Sequence, residues 1–209
     1  MSRRLAAWIA FVALVSVVAF AGGSAPRNAL YQYSTAASEA ILFAFFAGVV
    51  AAITAGRLDL LAYRRPASWP RALGLTAALF VCVYVAILFL DRVFHGSREQ
   101  GLVPTRWEPS HAGAYAANFV IVAAVAPVVE ETLFRGLGYS LLERFGRWPA
   151  IVAVGLAFGL YHGLIDALPE LALFGAALAW LRSRTRSVFP GMLAHAALNT
   201  IALASVFFR

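Results

Sequence analysis

The 209-residue chain has no lysine, a single cysteine and few charges of any kind. Each scarcity excludes something. One thiol, Cys82, leaves no internal disulfide and no cysteine-ligated zinc site. It sits inside an apolar run and reads as a small buried or lipid-facing residue. Charged residues make up 13% of the chain and hydrophobic ones 62%, where a soluble domain carries roughly 25% and 45–50%. That excludes an intrinsically disordered chain, which is poor in apolar residues, and argues against a water-soluble globule. All 17 basic residues are arginine, set against 10 acids for a formal charge of +7. In a soluble protein such a balance points to nucleic acid. In a chain this apolar it marks cytoplasmic loops, so the expected partner is the lipid bilayer and not nucleic acid.

A membrane-spanning helix needs about 20 apolar residues. Residues 5–23, 40–56, 72–90 and 112–129 are free of charge, and the fourth run extends through Glu130 and Glu131 to Phe145. Further apolar segments follow at 148–164, 167–181 and 188–208, now with ionisable residues within or beside them. The expected fold is all-α: a polytopic integral membrane helix bundle of about seven transmembrane helices (six to eight). It forms one domain over residues 1–209, divided into N-terminal helices with an outer loop (1–111) and a core (112–208). The segment 91–111 reads as an irregular outer loop.

The arginines orient the bundle. With the N-terminus inside, Arg3, Arg4, Arg57, Arg64, Arg65, Arg71, Arg144, Arg147, Arg182, Arg184 and Arg186 are all cytoplasmic. Arg27, Arg92, Arg98, Arg106 and Arg209 fall on the other side, and Arg135 lies inside the fourth helix. Eleven against five predicts a cytoplasmic N-terminus. A rival reading takes Arg3-Arg4, the first apolar run and Ala19-Phe20-Ala21 as a cleavable signal peptide; the long apolar run favours a retained helix.

Ionisable groups inside a bilayer are costly and are functional candidates by default. The second half of the chain holds five, Glu130, Glu131, Arg135, His162 and His195, with Asn199 as a sixth polar group. Glu131 and Arg135 are four apart with the acid first, the favoured order for a helical pair. Glu130 is turned about 100° from Glu131, so one carboxylate can be neutralised while the other faces a cavity. Pro127, just upstream, should kink the helix or free a carbonyl. His195 and Asn199, also four apart, share a face. Gly155, Gly159 and Gly163 give the fifth helix a small-residue face for close packing. A hairpin turn near Gly146-Arg147 puts Glu130 and His162 about 25 and 22 Å from it at 1.5 Å per residue, at nearly one depth. A carboxylate beside an imidazole can deprotonate a water; a second imidazole and an amide can steady an oxyanion. That set suits peptide-bond hydrolysis without a covalent nucleophile.

Glu130-Glu131-Thr-Leu-Phe-Arg135 matches an EExxxR motif, Phe158-Gly-Leu-Tyr-His162 an FxxxH motif and His195-Ala-Ala-Leu-Asn199 an HxxxN motif. In this order they resemble the type II CAAX prenyl endopeptidases and their bacterial relatives, the CPBP (ABI) family, over roughly residues 112–208. The resemblance implies a glutamate-dependent intramembrane endopeptidase. By it, Glu130 and His162 activate water, His195 and Asn199 form the oxyanion hole, and Glu131 and Arg135 are the supporting pair. No cofactor is expected; the minor alternative is a zinc ion on Glu130, His162 and His195. The implied substrate is a membrane-associated protein or peptide, lipidated or bearing a C-terminal sorting tail. The all-arginine basic set favours a bacterial inner membrane. A non-catalytic peptide-binding or bacteriocin-immunity protein and a small proton-coupled carrier are the rivals, and helix–helix adhesion is the rival role for Asn199. Asp166 and Glu170 are expected to be solvated, and Glu39 interfacial.

Overall fold

The computed structural model describes residues 2–22, 28–100 and 103–208, apart from the side chains of Arg98 and Gln100. Gly23, Arg27 and Arg209, which enter the first span and the arginine count, lie outside the described residues, as does the Arg98 side chain. Among the described residues there are helices and turns but no strand.

Seven long helices follow one another: α1 Arg3–Gly22, α2 Tyr33–Thr54, α3 Trp69–Phe94, α4 Pro109–Phe145, α5 Arg147–Tyr161, α6 Leu168–Thr185 and α7 Phe189–Phe208. They coincide with the seven expected spans. Five of them, α1 to α4 and α7, are long and apolar enough to cross a membrane, and the chain is an integral membrane helix bundle. α5 is shorter, at 15 residues, and α6 carries Arg182 and Arg184 in its last turn. α2 begins seven residues before the charge-free run at 40, which takes Glu39 into the helix. The 91–111 connection is not wholly irregular either, since Gly96–Gln100 forms a single helical turn.

Local sequence explains the helix ends. α3, α6 and α7 have proline in their first turn, where its missing N–H is not needed. The Ser68 hydroxyl caps α3 by accepting from the Arg71 N–H. The α4–α5 hairpin turns on Gly146, whose φ of +111° is open to glycine and strained for other residues.

α4 is the central element: every residue from Glu130 to Tyr139 is buried, whereas α3 buries only Ala72 and Val83. Its winding loosens in two places. Residues Ile121–Val125 and Thr132–Gly138 are wound as π-helix, with Pro127 and both glutamates in the α-helical stretch between. Such loosened turns free carbonyls for outside donors. Trp8 of α1 uses one, donating its indole N–H to Leu133 O at 3.0 Å. Thr132 and Tyr63 share a short hydroxyl–hydroxyl hydrogen bond nearby. α5 and α6 lie backbone to backbone: a methyl group on Gly155 would meet the Ala172 carbonyl at 2.8 Å and the Ala176 Cβ at 2.7 Å. Gly155 and Gly159 therefore do what the spacing predicts, whereas Gly163, expected on the same face, lies beyond the end of α5 with a φ of +68° and packs against Ala19 of α1.

Carboxylates tie the 91–111 connection to the α5–α6 turn. Asp91 accepts from the Ser97 N–H (2.8 Å) and hydroxyl (2.9 Å), and Glu99 from the N–H groups of Ile165 (2.8 Å) and Ala167 (3.0 Å). Partial burial works to raise the Glu99 carboxyl, but those N–H donors outweigh it and hold the group below the usual carboxylate range. Glu170, expected to be solvated, is buried at 3% exposure. The reason is Gly96, which folds over it so closely that a Cβ there would lie 2.7 Å from Oε1. Asp166 is exposed, as expected.

Candidate active site

Of the six polar residues expected at membrane depth, Glu130, Glu131, Arg135 and His195 meet directly, His162 joins them through the Phe158 ring, and Asn199 bonds the α4 backbone further off. Glu130 and Glu131 are consecutive on α4 and both buried, at 6% and 0% exposure. One step of about 100° separates their fates. Glu131 turns towards α6 and α7: its Oε1 lies 2.9 Å from Arg135 Nη1 and accepts from His195 Nδ1 at 3.2 Å. Gly191 of α7 makes room for it, since a Cβ there would meet Glu131 Oε2 at 2.7 Å. Arg135 is wholly buried, donates from Nη2 to the Gly175 carbonyl of α6 (3.2 Å), and lies 4.2 Å above the Phe158 ring.

Glu130 turns towards α5. Its Oε1 accepts from the Tyr161 hydroxyl at 3.1 Å, and its Oε2 lies 3.6 Å from His195 Nε2. The second distance is too long for a hydrogen bond. His195 thus stands between the two carboxylates, held at Nδ1 by Glu131, with Nε2 facing Glu130 but not consumed by it. This is how a second carboxylate fixes the orientation of a functional imidazole.

His162 caps α5 and is half-buried. Its Nδ1 lies 2.7 Å from Phe158 O. A carbonyl only accepts, so Nδ1 carries the hydrogen of that bond and the neutral ring offers its lone pair at Nε2. Glu130, His195 and Arg135 are all near enough to act on the ring electrostatically. Among the described residues no direct hydrogen bond joins His162 to Glu130; Tyr161, its chain neighbour, makes that link instead. Asn199 donates from Nδ2 to Val122 O of α4 at 2.8 Å. One amide hydrogen is therefore committed to the backbone and one is free of it.

Phe158 is the hub of these contacts. Its ring packs against those of Phe134 (5.3 Å), His162 (4.7 Å) and His195 (5.7 Å) as well as the Arg135 guanidinium. Both phenylalanines are buried to 1% or less and serve as packing residues.

An acid–histidine layer, buried in a membrane-spanning bundle and spread over three motifs, is what the sequence resemblance requires. Residues 112–201 match the type II CAAX prenyl endopeptidase Rce1-like family. Among curated proteins and among solved structures, nothing matches the chain. The Rce1-like segment begins with the regular part of α4 and ends two residues after Asn199, so all six polar residues lie within it. It includes both π-helical stretches and the whole of α5 and α6. Over that segment the chain is similar to the CAAX prenyl endopeptidase family.

Four contributors carry no sequence signal that singles them out. Tyr161 lies inside the Phe158–His162 motif at a position the motif leaves open. Gly191 gives no sign of the carboxylate it accommodates. Trp8 is too distant in sequence to be connected with α4. Glu39 reads as interfacial because the charge-free run starts at residue 40, yet from α2 it acts electrostatically on both Glu130 and Tyr161. Among the described residues no three His, Cys, Asp or Glu side chains are grouped to hold a metal ion.

Proposed function

We propose that the protein is a metal-independent intramembrane glutamic endopeptidase that cuts a membrane-associated protein or peptide near its terminus. The observation that carries this reading is the buried Glu130 carboxylate, held by the Tyr161 hydroxyl at 3.1 Å and faced by His195 at 3.6 Å. Glu130, with the His162 lone pair, takes a proton from a water. The hydroxide attacks the scissile carbonyl carbon, forming a C–O bond and an oxyanion. The uncommitted Asn199 amide hydrogen donates to that oxyanion, and so does His195 Nε2 when both ring nitrogens carry hydrogen, the one on Nδ1 being given to Glu131. The proton on Glu130 passes to the departing amide nitrogen as the C–N bond breaks, giving a carboxylic acid and an amine. Glu131 and Arg135 act as supports: they orient His195 and neutralise each other.

The N-terminus is cytoplasmic on the arginine asymmetry, and the membrane is a bacterial inner membrane on the all-arginine composition. The substrate is a lipidated chain or one with a C-terminal sorting tail. The test compares termini of membrane-fraction proteins from cells carrying the parent, Glu130→Gln or His162→Ala. New termini seen only with the parent support the reading. Full cleavage by both folded variants refutes it, and peptide-dependent protection that persists in Glu130→Gln would favour a non-catalytic binding protein.

A further inference from the structure

The Val122 carbonyl that Asn199 engages is available for a specific reason. In the π-helical turn Ile121–Val125 the Ala126 N–H reaches back five residues to Ile121 O. The next donor in that ladder would be residue 127, reaching back to Val122 O. Residue 127 is proline, which has no N–H. An unpaired backbone carbonyl at membrane depth is costly, and a neighbouring helix must supply its donor. Asn199 Nδ2 does so from α7 at 2.8 Å.

We propose that Pro127 and Asn199 are a matched pair, in which Asn199 is a positioning residue that replaces the N–H proline removes and so fixes α7 against the catalytic turn of α4. Asn199 lies four residues after His195, and Val122 eight before Glu130. The Asn199–Val122 bond and the His195–Glu131 contact at 3.2 Å pin the same two helices at two points. Two points fix both separation and rotation, and rotation decides whether His195 Nε2 faces Glu130. Proline is needed for a second reason: with an ordinary residue at this position the ladder would close on itself and α4 would present no acceptor to α7. The amide keeps its other hydrogen, so positioning is additional to oxyanion binding. The effect on catalysis rests on the peptidase reading; the bond itself does not.

A double-mutant cycle tests this on the full-length protein in detergent micelles. Pro127→Val restores an N–H at similar volume; Pro127→Ala supplies the same donor should the valine variant fail to fold. Asn199→Ala is expected to lower the melting temperature by several degrees in the parent, and by at most half as much in the Pro127→Val background. In the cleavage assay Pro127→Val alone is expected to lower kcat at unchanged KM, because the Val122 carbonyl is then taken within α4 and α7 loses that hold, while the Asn199 amide is still present. An equal thermal loss from Asn199→Ala in both backgrounds, or a Pro127→Val variant with the parent's kcat, overturns the proposal. The thermal cycle reads the same whether or not Glu130→Gln abolishes cleavage, so this inference and the peptidase reading can fail separately.

Discussion

Arg135→Met is the sharpest test of how the site is held. The substitution keeps most of the apolar stem and removes every donor. Three contacts go: the ion pair to Glu131 (2.9 Å), the bond to the Gly175 carbonyl (3.2 Å) and the stacking over Phe158 (4.2 Å). What remains is worse than what is lost. Glu131 is 0% exposed, its Oε2 has no hydrogen-bond partner among the described residues, and only His195 would still face Oε1. Stranding one member of a buried pair costs about 3–5 kcal/mol. Replacing both members is far milder, so Glu131→Gln/Arg135→Met should be more stable than Arg135→Met alone by about 2 kcal/mol. The rest of that cost is the hydrogen bond that the charged guanidinium gives the Gly175 carbonyl, about 1.5–3 kcal/mol; that carbonyl lies in the middle of α6 and keeps its helical partner. Equilibrium unfolding in mild detergent, followed by tryptophan fluorescence, measures both. An Arg135→Met variant within about 1 kcal/mol of the parent, or a double variant less stable than the single, refutes the view that Glu131 is a buried anion balanced by Arg135.

Other consequences are simpler. Tyr161→Phe keeps the ring packed against Phe134 (5.3 Å) and Phe46 (6.0 Å) but removes the donor to Glu130; at about 1.5–3 kcal/mol for a bond to a charged group, kcat should fall about tenfold to a hundredfold with the melting temperature little changed. Gly155→Leu would drive a side chain into the Ala172 carbonyl at 2.8 Å, a backbone atom that cannot yield, so α5 and α6 should part and both stability and activity be lost; a variant melting with the parent would contradict the close packing. Because N–H donors hold Glu99 below its usual range, its contribution to stability is complete above the unfolded carboxylate value and is lost as pH falls through the folded one. Melting curves from neutral to acid pH should therefore show a decline that Glu99→Gln reduces.

The architecture is legible in the sequence because it depends on run length and charge placement, which a linear chain displays directly. The charge-free stretch at 40–56 leaves few alternatives to a spanning helix. The polar layer is legible for a related reason: the same groups would be unremarkable on a soluble protein, but each is conspicuous at membrane depth. What stays hidden depends on side-chain direction across helices. Glu39 lies one residue outside an apolar run and reads as interfacial; nothing in the sequence shows that α2 brings it near enough to act on Glu130 electrostatically. Glu170 reads as solvated because nothing in the sequence shows Gly96 closing over it. Tyr161 has no periodic or charge signature; only the α4–α5 hairpin brings its hydroxyl to Glu130.

The two adjacent glutamates show why sequence spacing alone cannot divide the labour. On a regular helix, the 100° step says that they differ but not which one faces the cavity. That choice is made by elements outside the motif as well as within it. Arg135 claims Glu131 through the four-residue spacing, and Gly191 leaves room on that side. Trp8 holds the loosened turn that follows by its bond to Leu133 O. Glu130 is then left with a tyrosine hydroxyl and a histidine nitrogen beyond bonding distance, contacts that steady a carboxylate without neutralising it. The Glu131 carboxylate is committed to a guanidinium, whereas that of Glu130 is held by a single hydroxyl and keeps an oxygen free to meet a water. The difference between the two is built by packing, and it is why Glu130→Gln should abolish chemistry while Glu131→Gln should act mainly through the orientation of His195.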